Sequence, residues 1–178
     1  MFPRNFRQGP RVFTLVLVAG IGAHNVALGA PRSKALNRPL NAFDAAAVER
    51  AKEGAARKLE DPECQKVFTD FSDREGVPLQ ASLDKWGVSA TEYLQMIPFL
   101  DGSSQSLCRW SRVDLVTTPG TPRVFVCAQF STTQVRDPWL AEDVVIHEML
   151  HTLGLGENPP TSIEITKRVK GRCAPGGK

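Results

Sequence analysis

The stretch AEDVVIHEMLHTLGLGENPP, residues 141–160, decides how this chain is interpreted. It follows Asp137-Pro138, a pair typical of a helix N-terminus, where the Asp side chain caps the first turn. Gly154 suits the C-terminal end of a helix, and the prolines at 159 and 160 cannot continue one. The sequence therefore predicts a long helix from Pro138 to about Leu153, followed by a tight turn.

The predicted helix carries His147-Glu148-Met149-Leu150-His151. Side chains four residues apart project from the same helix face, about 6 Å apart along the axis. The two imidazoles can therefore bind one Zn²⁺ through their Nε2 atoms. Glu148 lies beside the metal rather than on it, where it can act as general base and then general acid. We predict that His147 and His151 are zinc ligands and that Glu148 is catalytic.

The longer run from His147 to Glu157 resembles the metzincin pattern HExxHxxGxxH/D, and a HExxH helix after an interior strand resembles zincin metallopeptidases in general. The resemblance implies a small zincin-like domain with Glu157 as the third ligand. The chain departs from the pattern, because it has no third histidine after the motif and no methionine after Met149 to form a Met-turn. In gluzincins the third ligand is a Glu from a following helix, and Glu164 is that alternative here.

Residues on either side of the motif predict an α+β domain covering residues 43–178. Apolar periodicity and capping signals predict several N-terminal helices, and two β-branched or aromatic runs separated by Pro and Gly predict a hairpin. A closing helix should run from Thr161 toward Cys173. The predicted helices are 43–59, 64–71, 79–86 and 90–97, and the predicted strands are 113–117 and 123–130. Residues 101–104 are predicted to form a loop.

The N-terminus has the pattern of a secretory signal peptide. Three arginines precede an apolar run over residues 12–23, and small residues follow at 27–30. The apolar run is shorter than the ~20 residues that span a bilayer. We therefore expect a signal peptide over residues 1–29, a linker over 30–42, secretion or periplasmic export, and no stable membrane anchor after cleavage.

The charge balance of the chain argues against nucleic-acid binding. Three of the 22 basic residues lie within residues 1–29, so the remainder carries 19 basic and 19 acidic residues, and nucleic-acid binding is not predicted.

Four cysteines in an exported chain predict two disulfides. Of the three pairings we favour Cys127–Cys173 with Cys64–Cys108, because the first would tie the closing helix to a core strand. The absence of a CxxC pair disfavours a cysteine zinc site.

Together these features predict an exported zinc peptidase that hydrolyses peptide or protein substrates by a zinc-activated water, with Glu148 as general base. The alternatives are a disulfide-stabilised exported binding or scaffold domain with a structural or degenerate zinc site, and a zinc hydrolase acting on other bonds. Tyr93 could polarise an intermediate, and Lys167, Arg168 and Arg172 could bind a substrate carboxylate. Packing and a solvated helix face are the more common roles of such residues.

Overall fold

The computed structural model describes residues 38–174 except residue 111, and in this part the chain is an α+β domain, as the sequence predicts. The predicted signal peptide and most of the predicted linker lie outside the described residues. The elements are α1 Ala42–Leu59, α2 Pro62–Gln65, α3 Val67–Asp70, α4 Gln80–Trp86, α5 Ala90–Met96, β1 Phe99–Asp101, α6 Ser106–Trp110, β2 Leu115–Val116, β3 Val124–Val126, α7 Phe130–Arg136, α8 Pro138–Thr152 and α9 Ser162–Cys173.

Helix starts follow local capping chemistry. The side chain of Asp137 accepts a hydrogen bond from the third residue of α8, which satisfies a backbone N–H that the helix itself leaves free. Ser89 with Glu92 at α5, and Thr161 with Glu164 at α9, form capping boxes in which side chain and backbone bond reciprocally. These signals are local in sequence, and the predicted starts of α5, α8 and α9 are confirmed.

The sheet has three strands in the order β1-β3-β2. β3 pairs antiparallel with β2, which confirms the predicted hairpin, and parallel with β1, which was not predicted. Residues 101–104 were expected to form a loop, but Asp101 ends β1. The second predicted strand was also too long, because Phe130 begins α7. Short apolar runs lack the periodicity that separates strand from helix, so both boundaries were misplaced.

Helix α8 is the centre of the domain. It packs against α1, α7, α9 and β2, and residues 145–153 are buried without interruption. A helix enclosed on nearly all sides is apolar around most of its circumference, and this explains the run of large aliphatic side chains around the two histidines. Among the described helices, none combines the length and apolarity needed to cross a membrane.

Two disulfides are present, as predicted, but their pairing is not the predicted one. Cys64 is joined to Cys173, and Cys108 to Cys127. The favoured pairing assumed that the closing helix packs on the core strand. Instead α9 packs on α2 and α3, which brings Cys173 to Cys64, and α6 contacts the sheet, which brings Cys108 to the end of β3.

Candidate metal centre

Three potential ligand atoms converge at the C-terminal end of α8. The Nε2 atoms of His147 and His151 are 3.0 Å apart, and Glu157 Oε1 lies 3.8 Å from the first and 3.3 Å from the second. Each pair lies within 4.8 Å. Two nitrogens bound to one tetrahedral ion at zinc–imidazole distances would be about 3.3 Å apart. The group could therefore hold a metal ion with little movement of its side chains.

The turn after α8 brings Glu157 back to the histidines. Leu155 N–H donates to Leu150 O, and Gly154 N–H donates to His151 O, at 3.2 and 3.0 Å, the two bonds of a Schellman motif. Gly154 has φ of +113°, which an L side chain rarely adopts. Leu155 is buried and fixes the turn in the core. Glu157, two residues later, is thereby held near the ring nitrogens.

Hydrogen bonds to the outer ring nitrogens orient both imidazoles. His151 Nδ1 lies 2.7 Å from Leu155 O. A carbonyl oxygen only accepts, so Nδ1 carries a proton, and in the neutral imidazole the lone pair of Nε2 faces the group. His147 Nδ1 lies 3.0 Å from the Thr166 hydroxyl on α9. When Thr166 accepts this bond, His147 has the same tautomer. Such partners commonly support metal-binding histidines.

Burial keeps His147 neutral. Burial, with a smaller contribution from the charge of His151, lowers the pKa of His147 from 6.5 to about 3. The neutral imidazole is the form that can donate a lone pair to a metal. Exposure differs across the group: the side chains of His147 and His151 are 7% and 5% exposed, whereas that of Glu157 is 42% exposed. The group is therefore closed on the α8 side and accessible from the side of the turn.

Glu148 is buried beside the histidines, and its Oε2 atom has no hydrogen-bond partner among the described residues. Burial raises the pKa of Glu148, outweighing the opposite effects of His151 and the Thr117 hydroxyl, while Glu157 raises it further. An unsatisfied buried polar group costs roughly 1–3 kcal/mol. A carboxylate kept in this state is the kind of group found where a protein binds or transforms a ligand.

The β2–β3 loop places Thr117 near Glu148, and the sequence did not indicate this residue. Gly120 N–H donates to His151 O at 2.9 Å, which holds the β2–β3 loop against the end of α8. Thr117, at the start of this loop, also has a buried and unpartnered oxygen and affects the pKa of Glu148. Only the proximity of hairpin and motif in sequence could have suggested this contact.

Two other sequence candidates lie outside the group. The Glu164 carboxylate accepts hydrogen bonds of 2.8 Å from the backbone N–H and hydroxyl of Thr161, so it is occupied as a helix cap. The Tyr93 hydroxyl is buried and donates to Thr152 at 3.0 Å. Glu157 is thus the carboxylate that the structure brings to the two histidines.

The basic candidates on α9 divide into two sets. Arg168 and Arg172 contact Asp70 at 3.2 and 2.8 Å, and these contacts fasten α9 to α3. Lys167 is exposed and forms no ion pair with a described residue. The arginines therefore have a structural role in the described part of the chain.

The donor atoms and their supporting groups come from α8, the turn after it, the β2–β3 loop and α9. No protein-family model matches the chain, and no significant match was found among curated proteins or solved structures.

Proposed function

We propose that this protein is an exported zinc-dependent peptidase of zincin-like architecture, with His147, His151 and Glu157 as zinc ligands and Glu148 as general base. The proposal depends on one observation: three donor atoms lie within 4.8 Å of one another beside a buried carboxylate without a partner. Two imidazoles and one carboxylate are a ligand set typical of catalytic zinc. Three protein ligands leave a fourth position for water or substrate.

The chemistry divides between metal and protein. His147, His151 and Glu157 would hold the zinc ion, which would supply Lewis-acid chemistry there and make water nucleophilic at neutral pH. Glu148 accepts the proton of the water that attacks the scissile carbonyl carbon, and donates it to the amine nitrogen as the C–N bond breaks. His147 and His151 are oriented by Thr166 and the Leu155 carbonyl, respectively. Burial excludes bulk water from the side where Glu148 lies.

Export and substrate class have separate support. The two disulfides are compatible with an extracellular protein, because such bonds persist in oxidising compartments. Peptide bonds, rather than other hydrolysable bonds, follow from the metzincin-like pattern of residues 147–157. The half-exposed Glu157 leaves the group open to a polypeptide from the side of the turn.

A scaffold with a structural or degenerate zinc site is the second candidate. The near-complete burial of both histidines and the presence of two disulfides favour it, since both are common in structural domains. A structural zinc site is normally closed by four protein ligands. The group in the described part of the chain offers three, which favours the enzyme.

The deciding experiment uses the oxidised protein without its leader. Zinc content is measured by mass spectrometry, and cleavage of a broad peptide library is compared between wild type and Glu148→Gln. We expect about one zinc per chain in both proteins, cleavage by wild type, and loss of at least about 100-fold in kcat for the variant. Zinc in both without cleavage by either would favour the scaffold.

The ligand assignment has a matched pair of variants. Glu157→Ala removes a member of the donor group, whereas Glu164→Ala removes a helix-capping carboxylate of the same charge. We expect Glu157→Ala to weaken zinc binding by at least about 100-fold, more than the loss of a supporting residue. Glu164→Ala should change it less than about threefold while lowering thermal stability. The reverse order would reassign the third ligand.

A further inference from the structure

Helix α9 concentrates positive charge in a chain that is otherwise balanced. Its 12 residues, Ser162–Cys173, include four basic side chains and one acidic one. Residues 30–178, by contrast, contain 19 basic and 19 acidic side chains. Local charge of one sign on a neutral background attracts ligands of the opposite sign.

Half of this charge is neutralised within the fold and half is not. Arg168 and Arg172 lie on the side of α9 that faces α3, where Asp70 pairs with both. Lys167 and Lys170 are exposed, and neither has a carboxylate within 4.0 Å in residues 38–174. Two lysines are therefore available to a ligand.

An apolar side chain accompanies these lysines. A shallow, largely open depression of about 370 Å³, called a groove below, is lined by five residues that all belong to α9: Ser162, Ile163, Thr166, Lys167 and Lys170. Ile163 is 80% exposed, although Ile165 on the same helix is completely buried. The groove thus combines one large exposed apolar group with two unpaired cations on a single helix face.

One residue is common to the groove and to the surroundings of the metal centre. Thr166 lines the groove, and the hydroxyl of the same residue lies 3.0 Å from His147 Nδ1. Thr166 therefore links the groove to the His147 ring, at the ring nitrogen opposite the donor atom Nε2. This proximity connects the groove to the site rather than to a remote part of the surface.

We infer that this groove, here called the α9 groove, binds a segment of the substrate polypeptide that carries an apolar side chain followed by acidic residues; the inference rests on the proposed peptidase function. Lys167 and Lys170 lie about 6 and 10.5 Å beyond Ile163 along the helix axis. An extended peptide advances about 3.3 Å per residue. Because successive side chains of an extended peptide point to opposite faces, the acidic side chains that face α9 should lie two and four residues from the apolar one, within reach of the flexible lysine side chains.

The test measures binding apart from cleavage, using the zinc-loaded Glu148→Gln protein and fluorescein-labelled decapeptides. The first peptide has one leucine with glutamates two and four positions later in a Gly/Ala background. The second replaces both glutamates by glutamine, and the third replaces leucine by glycine. The protein variants are Lys167→Gln with Lys170→Gln, and Ile163→Ser. Lys85→Gln, which removes an exposed lysine on α4, is the charge-matched control.

We expect the first peptide to bind tightest by fluorescence anisotropy at low salt. The double lysine substitution should weaken its binding about three- to tenfold, in line with two exposed ion pairs. The double variant should bind the glutamate peptide and the glutamine peptide with the same affinity. Ile163→Ser should remove the preference for leucine over glycine. Lys85→Gln should change affinity less than twofold, and thermal melts would verify that all variants fold.

Equal binding of the glutamate and glutamine peptides, or unchanged affinity after the double lysine substitution, would overturn the inference. Wild-type cleavage of the peptide library separates this result from the proposed function. Cleavage without any preference for the acidic segment contradicts the α9 groove alone. Selective binding of the acidic peptide supports the groove even when no peptide is cleaved, and the peptidase proposal then fails by itself.

Discussion

Buried charged side chains form ion pairs in the N-terminal half of α8 but not in its C-terminal half. In the N-terminal half, Lys58 from α1 lies 2.7 Å from Asp143 and 3.1 Å from Glu142, and all three side chains are largely buried. In the C-terminal half, Glu148 is equally buried and its Oε2 atom has no hydrogen-bond partner in the described part of the chain. His147 beside it remains uncharged because its pKa is lowered to about 3.

This contrast indicates that the two halves of α8 have different roles, one structural and one functional. Burying a charge costs several kcal/mol unless a partner compensates it. The ion pairs of Lys58, reinforced by its bond to Trp139 O and its position over the Trp139 ring, meet this cost within the fold. Glu148 has no comparable ion pair in the described part of the chain: its Oε2 atom has no hydrogen-bond partner, and burial raises its pKa despite the opposite effects of His151 and Thr117. We therefore interpret the first half of α8 as a structural anchor to α1 and the second half as a site prepared for an external ligand.

The largest effect is expected from breaking the anchor. Lys58→Met keeps much of the apolar stem but leaves Asp143 and Glu142 buried without their cation, so the free energy of unfolding should fall by about 3–5 kcal/mol. Urea denaturation measures this change. Lys66→Met, which breaks an exposed pair with Glu63, is the control and should cost less than about 1 kcal/mol. Equal losses in both variants would contradict the structural role of the buried pair.

Thr166→Val tests whether the second half is organised for a metal. The substitution keeps the shape of the side chain but removes the hydroxyl that contacts His147 Nδ1. Zinc affinity, measured by competition with a chromogenic chelator, should fall about 10- to 100-fold. Thr166→Ser retains the hydroxyl and should stay close to wild type. Unchanged affinity in Thr166→Val would show that this contact does not support a metal ligand.

Glu148→Gln should affect stability with the opposite sign to a substitution in the first half. Replacing a buried carboxylate without a partner by a neutral amide removes a charge whose burial is unfavourable. The metal-free variant should therefore be more stable than wild type at neutral pH, by about 1 kcal/mol. Asp143→Asn, which deprives Lys58 of its closest partner, should instead destabilise the protein. Thermal denaturation of both proteins decides between these signs, and destabilisation by both would remove the contrast.

The smallest effect concerns a paired carboxylate outside α8. The hydrogen bond from Arg172 lowers the pKa of Asp70. A lowered folded-state pKa gives stability that is present above the unfolded pKa and is lost as the pH falls through the folded one. Asp70→Asn should therefore be less destabilised than wild type on acidification from about pH 6 to pH 3. Asp84→Asn, at an exposed acid on α4, is the control. An identical pH dependence in Asp70→Asn and wild type would contradict the prediction.

Local signals accounted for much of the fold and part of the candidate site. The start of α8 and the cap of α9 could be predicted because capping residues act within one turn. β1 was missed because three residues carry little pattern and its partner β3 lies more than twenty residues away. The disulfide pairing was wrong because it depends on which face of the domain α9 covers. No sequence pattern carries that information.

The candidate site likewise contains residues that the sequence indicated and residues that only the structure shows. The convergence of His147 and His151 was predicted from helical spacing, whereas Glu157 was implied only by the resemblance of residues 147–157 to the metzincin pattern. The contacts of Thr166 and Thr117 with this group were not predicted, because they arise where α9 and the hairpin loop meet α8. Packing between elements determines them. Residues that support a site from other elements are therefore the part that a structure adds.

The turn at Gly154 has a consequence for assembly. All three candidate ligands lie within 11 consecutive residues, from His147 to Glu157. Bringing them together closes only a short loop, so the entropic cost of forming the group is small compared with that of a site built from distant segments. The group should consequently form together with the C-terminal turns of α8. Changes in the sheet or in α6 would then alter access to the ligands more than their mutual geometry.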